Sequence, residues 1–264
     1  MNVVRLILSG LLSLAIGTMT RADDRAEAGG TAERWAPKRH IAELREARQL
    51  ILVLTPDWES VPAELARFER SSADAPWRLV SPATPVVVGR TGLAWGIGLH
   101  SEVPPGIRPK KEGDGKSPAG AFSLLESFGY AAASEAGIKS FPYRPLTPNT
   151  EGVDDPQSRS YNRIVEHTPG TPKDWNSAEQ MRRHDELYRW GVVVGHNTKP
   201  FAGAGSCIFL HLWEGPSKGT AGCTAMPLEK IEELVRWLDA SKKPLLVQLP
   251  REEYERLKKD WQLP

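Results

Sequence analysis

"SCIFLHLWEGPSKGTAGCTAMP", residues 206–227, contains both cysteines of the chain, Cys207 and Cys223. Its first half, with Ile208, Phe209 and Leu210 in succession, reads as a buried strand. Gly215, Pro216, Gly219 and Gly222 then mark a turn-rich loop. Immediately afterwards "MPLEKIEELVRWLD" (226–239) reads as a helix. Pro227 suits its first turn, Leu228, Ile231, Leu234, Val235 and Leu238 share a face, and Pro244 closes it. The order is therefore strand, loop, cysteine, helix. Two pairings are open to Cys223: a disulfide with Cys207, or a partnership with His211, twelve residues before it.

Working outward, the pattern is mostly β. "QLILVLT" (49–55) is a buried strand, "WRLVS" (77–81) and "TPVVVGRTGLAWG" (84–96) are two more, and "GKSPAGAFSLLESFGY" (115–130) turns at Ser117-Pro118 and continues extended. "RWGVVVGHN" (189–197) and "PLLVQLP" (244–250) complete the set. "PDWESVPAELARFERS" (56–71) has Val61, Leu65 and Phe68 at helical spacing and is expected to be a helix. A polar, Pro-rich stretch over about 131–186 has no period. Such a length suits a lid or binding loop inserted in a domain. "EEYERLKKD" reads as a solvated helix within a tail at 251–264. The expectation is a mostly β domain over 49–250 with a few helices, one of them following the cysteine loop.

The chain's start sets the compartment. "MNVVRLILSGLLSLAIGTMTRADD" has one basic residue, a short apolar core and small residues Thr20 and Ala22. It reads as a secretory signal over 1–22, with a leader and short helix over 23–48. An uncleaved anchor is the alternative, and only then would the chain hold to a membrane. Export implies the periplasm or cell envelope and an oxidising environment. Net charge is +1 and no basic block occurs, which argues against nucleic acid as a partner. The six histidines show no paired ligand spacing such as HExxH, so no metal and no cofactor are called for.

A cysteine attacks through its thiolate, and a neighbouring imidazole is the usual means of making one. Gly222 is expected to permit the turn, the following helix to place its positive end near the sulfur, and the backbone amides at Gly222 and Cys223 to cradle an oxyanion. If "SCIFLH" is a strand, Cys207 lies about 13 Å from His211 along it. A Cys223 within reach of His211 would then be too far from Cys207 for a disulfide.

"SCIFLHLWEG…TAGCTAM" resembles the signature of the L,D-transpeptidase (YkuD-type) family, in which a strand ends in histidine and a Ser/Thr-x-Gly-Cys turn carries a nucleophile. "KEGDGKSPAGAFSL", "GVDDPQSRSYNRIV" and "LYRWGVVVGHN" extend the resemblance over about 49–250. It implies a YkuD-like β-sandwich and acyl transfer on peptidoglycan stem peptides, with Cys223 as nucleophile and His211 as base. The chain departs from the family pattern at Ala221 and Ala225 and in its short histidine-to-cysteine loop, which places it in a divergent branch.

Substrate contacts are expected from His196, Asn197, Trp213, Thr220, Asp155, Tyr161 and Asn162, with Asp154 beside them. Each has a competing role as a loop anchor or Asx turn. Trp95 reads equally as core or cleft, and His100, His167 and His184 as surface. Two other functions share these residues: a hydrolase of the same bonds (carboxypeptidase or amidase-like), and a cell-wall-binding module with an inert cysteine.

Overall fold

The computed structural model describes residues 41–100 and 103–264. The signal and most of the leader expected over 1–48 lie outside the described residues; of that segment only the short helix α1 (Ala42–Glu46) is seen. Strand β1 (Gln49–Thr55) runs through the core with β-branched and leucine side chains buried on both sides. It pairs in parallel with β14 (Leu245–Pro250) and antiparallel with β2 (Pro62–Glu69). From β14 the sheet continues through β6 (Ser117–Gly129), β11 (Trp190–Val194), β12 (Phe209–Leu212), β13 (Thr224–Met226) and β4 (Thr84–Val87), and β4 returns to β2. The sheet thereby closes into a ring. Closure satisfies backbone groups that an open sheet would leave at its edges. The short strands β3 (Arg78–Leu79), β5 (Leu93–Trp95) and β7 (Tyr143–Pro145) pair with β2, β6 and β6 respectively.

The segment expected to be a helix at 56–71 is β2. Ala63 and Leu65 are buried on alternate positions, and Leu65 and Phe68 face Val53 and Leu50 across the β1 ladder. Pairing on both sides, with β1 and β4, outweighs the helical spacing of three apolar residues. The stretch 131–186 is not one irregular loop either. It contains α2 (Ala133–Ala136), β7, and a separate three-stranded sheet of β8 (Thr150–Val153), β9 (Arg163–Glu166) and β10 (Ala178–Gln180) in the order β10-β8-β9. The helix after the cysteine loop, α3 (Leu228–Trp237), is present. Ile231, Leu234 and Val235 face the core, while Leu228 is exposed. The tail helix α4 (Arg251–Leu257) is less solvated than expected, because Leu257 and the following Trp261 are buried. Among the described residues no helix is long and apolar enough to cross a membrane.

His100 also departs from expectation. It is buried between Trp95 and Phe122, with its ring 4.9 Å and 5.5 Å from theirs. Its Nε2 donates to the Gly96 carbonyl at 2.9 Å and its Nδ1 accepts from the Ala121 amide at 3.0 Å. Gly120, at φ +137°, makes room for it: a β-carbon there would lie 2.0 Å from the ring. Both His100 nitrogens are satisfied, so this is a core histidine. Trp95 belongs to the same core.

The main hydrophobic cluster gathers β1, β14, β6 and α3, including Leu50, Phe122, Leu210, Met226 and Leu234. A second cluster holds Phe128, Leu146, Met181, Tyr188, Cys207, Phe209 and Cys223. Alternation along β12 sends Leu210 into the first and Phe209 into the second. His211 follows Phe209 onto the second face. That face carries the site.

Candidate active site

β12 and β13 are parallel, with Leu210 opposite Thr224 and His211 opposite Ala225. Cys223, just before β13, therefore shares a face with Ala225 and lies one two-residue step, about 6.6 Å, from the level of His211. Cys223 and His211 line one cavity of about 220 Å³ together with Thr220 and Trp213. Its other walls come from Arg90, Glu179, Arg183, Tyr188 and Lys218.

Three hydroxyl and amide bonds fix the cysteine turn. The Cys223 carbonyl accepts from Ser117 Oγ at 2.7 Å and from Thr220 Oγ1 at 2.6 Å. Thr220 Oγ1 in turn accepts from the Gly222 amide at 3.1 Å. Ser117 is tied down by the Gly89 amide at 2.8 Å. The "KSPAG" block thus supports the cysteine from another strand, and sequence reasoning gave Ser117 no role. Gly222 itself is not required by the turn. It has no positive φ, and a β-carbon there would meet neighbours at 3.3 Å and 3.4 Å, close to ordinary contact. Its amide is engaged by Thr220, which leaves the Cys223 amide as the oxyanion donor of the pair.

The thiol is held by backbone, not by the histidine. Cys223 Sγ accepts from the Phe209 amide at 3.3 Å and donates to the Cys207 carbonyl at 3.5 Å. Among the described residues no hydrogen bond joins it to His211. Burial pushes the thiol well above the usual cysteine range; the negative charge of Glu179 adds to this, and the Phe209 amide, Lys110 and Arg183 oppose it. The expected help from the helix end is missing, because all of β13 separates Cys223 from α3. Three strand residues span about 10 Å, beyond the first turn over which a helix dipole acts.

His211 is buried, and burial holds its imidazole down to about 4; the hydrogen bond to Leu212 pulls the other way. Its Nδ1 lies 2.5 Å from the Leu212 carbonyl, which assigns the proton to Nδ1 and leaves Nε2 with a free lone pair. The ring packs edge-on to Tyr188 at 5.1 Å. Tyr188 donates to Glu179, so a carboxylate, a phenol and the imidazole form a continuous wall. Sequence reasoning passed over Glu179, Arg183 and Tyr188; they lie in or just after the segment with no period.

The remaining expected contacts lie elsewhere and hold loops. His196 is buried, accepts from the Ile97 amide at Nδ1 (3.2 Å) and donates from Nε2 to the Ala204 carbonyl (2.9 Å). Asn197, at φ +51°, bonds Phe201 and Gly205 and closes the loop between them. Asn162 donates to the carbonyls of His196 and Asn197 and accepts from the Cys207 amide at 2.9 Å. The Tyr161 hydroxyl donates to Glu112 at 2.5 Å. Asp155 receives the Gln157 and Asn176 amides, an Asx turn on buried side-chain oxygen. None of these five lines the cavity; they keep the 150–162 and 196–207 loops in place behind it. His184 is exposed as expected and His167 half-buried. Among the described residues no three His, Cys, Asp or Glu side chains come together as a metal site.

The two cysteines are both free and buried. The reason differs from the one expected. Cys207 precedes the strand, at φ +51°, and its carbonyl touches the Cys223 sulfur; the two residues are neighbours. Its own sulfur turns away, toward the Val153 carbonyl at 3.6 Å and against Gly152. Rapid thiol labelling is not expected of a neutral, buried sulfur. Native protein treated with iodoacetamide should be modified slowly at Cys223, which borders the cavity, and at Cys207 only on unfolding. Peptide mass mapping over time checks this, and equal rates at both sites would refute it.

No family model, curated protein or solved structure matches this chain.

Proposed function

We propose that the protein is an exported cysteine acyltransferase on a YkuD-like scaffold, acting on peptidoglycan stem peptides by L,D-transpeptidation. The observation that carries this reading is that Cys223 and His211 open onto one cavity, with the His211 Nδ1 proton committed to Leu212. Nε2 is then the free base. The resemblance quoted above supplies the substrate class.

Both partners are neutral at rest, so proton transfer accompanies attack. Nε2 of His211 takes the Cys223 proton as the sulfur bonds to the donor carbonyl. The carbon–nitrogen bond then breaks, and the same proton leaves on the departing D-alanine amine. The product is a thioester on Cys223. An acceptor amine attacks it, gives its extra proton to Nε2, and releases the thiol; the proton returns to sulfur. The Cys223 amide faces the oxygen that gains charge. A cavity of about 220 Å³ admits the reacting end of a peptide and leaves the rest of the stem on the surface.

The test is intact mass after incubation with purified stem tetrapeptide. The expected result is a tripeptidyl adduct on Cys223, discharged to a cross-linked product when an amine is added. Free tripeptide as the sole product would favour the hydrolase, and an unchanged mass with no product would favour a binding module.

A further inference from the structure

The cavity contains one carboxylate that acyl transfer by Cys223 and His211 leaves without a task. Glu179 is the middle residue of β10, and its side chain lines the same cavity as the cysteine. One oxygen, Oε2, accepts from the Tyr188 hydroxyl. Among the described residues Oε1 has no hydrogen bond and no cation pairs with the group. The guanidinium of Arg183, on the same wall, is taken by Asp185, its Nε lying 2.8 Å from Oδ1. A partly buried carboxylate without a counter-charge is costly to keep. Here it costs twice, because its charge also opposes ionisation of Cys223.

We infer that Glu179 is a substrate-recognition carboxylate, which takes a primary-ammonium group of the peptide into the cavity beside Cys223. The inference rests on the acyl-transfer reading for what carries that ammonium. An ammonium offers three donors on a compact charge and meets the free oxygen without displacing Tyr188. Docked there, it neutralises Glu179 and lifts one of the two obstacles to ionising the thiol. Recognition and activation are then one event, and a peptide lacking the ammonium finds Cys223 still protonated. The small sheet β8–β10 gains a purpose: it carries the carboxylate to the cavity wall.

The experiment reads the thiol directly, by the rate of Cys223 alkylation with iodoacetamide, and uses n-butylammonium as the probe. In the wild-type protein, n-butylammonium should accelerate alkylation several-fold, and KCl or tetramethylammonium at equal ionic strength should not. Glu179→Gln keeps an oxygen for Tyr188; it should alkylate several-fold faster than wild type without the probe and ignore n-butylammonium. Equal basal rates, or equal responses to n-butylammonium and KCl, would overturn the inference. If the variant fails to fold, the wild-type comparison of the three cations decides alone. Alkylation requires no acyl transfer. A protein with the cation response but no peptide adduct would sink the transferase reading only; one acylated by peptide but indifferent to the cation would sink this inference only.

Discussion

Lowering the pH from 6.5 to about 4.5 should destabilise the protein by several kcal/mol, before carboxylate protonation contributes much. Burial holds both His196 and His211 down to about 4, against an ordinary value of 6.5. Each binds its proton more readily unfolded than folded, so stability is full above pH 6.5 and is lost as the pH falls toward 4. A displacement of that size corresponds to about 3 kcal/mol per histidine. Glu179 works the other way: burial raises its carboxyl, so its protonation on acidification returns part of the loss. The physical cause at His196 is specific. Nδ1 must stay unprotonated to accept the Ile97 amide, and Nε2–H is already committed to Ala204. Urea unfolding across this range measures the slope, which should approach 1.4 kcal/mol per pH unit for each histidine that takes up a proton. His196→Gln should lower stability at pH 7 yet flatten the slope. A stability independent of pH between 6.5 and 4.5 would mean that both rings are hydrated.

The sequence was most legible where one period governs burial. β1, β11, β14 and α3 announce themselves because their apolar residues repeat at two or near 3.6. β2 misleads, since Val61, Leu65 and Phe68 fit a helix face, and only the partners β1 and β4, distant in sequence, make it a strand. The strands within 131–186 are three or four residues long, too short for any period to show. That region is held by polar side chains instead: Asp155 on two amides, Thr150 and Thr147 on Glu166, Asp174 on Ser158. The same reason hid the far wall of the cavity. Cys223 and His211 stand out because a nucleophile and base have recognisable neighbours, whereas a lone Glu179 in "SAEQM" has none. Asn162, Asn197, Asp155 and His196 show the converse. Polar residues in quoted motifs can be read as ligand contacts, yet they serve by closing the chain on itself.

Cys223→Ala should abolish formation of the peptide adduct and of any cross-linked product, while the protein stays folded. The first half follows from chemistry: alanine has no group that can hold an acyl intermediate, and His211 alone faces a carbonyl it has no nucleophile to deliver. The second half follows from where the turn is anchored. Ser117 and Thr220 grip the Cys223 carbonyl, a backbone group that the substitution leaves in place. What is lost is one sulfur in the cluster of Phe128, Met181 and Phe209, and the acceptor for the Phe209 amide. A small cavity and one weakened amide bond cost about 1–2 kcal/mol. Cys223→Ser separates the two effects, since its hydroxyl can still accept from Phe209. It should recover part of the stability and little of the activity, because a hydroxyl is far harder than a thiol to deprotonate with a neutral imidazole. Intact mass with stem tetrapeptide and a urea titration of each variant supply both readings. Adduct formation by Cys223→Ala would move the nucleophile to another residue. Unfolding of Cys223→Ala under conditions where Cys223→Ser is native would instead mean that the sulfur is part of the turn's architecture.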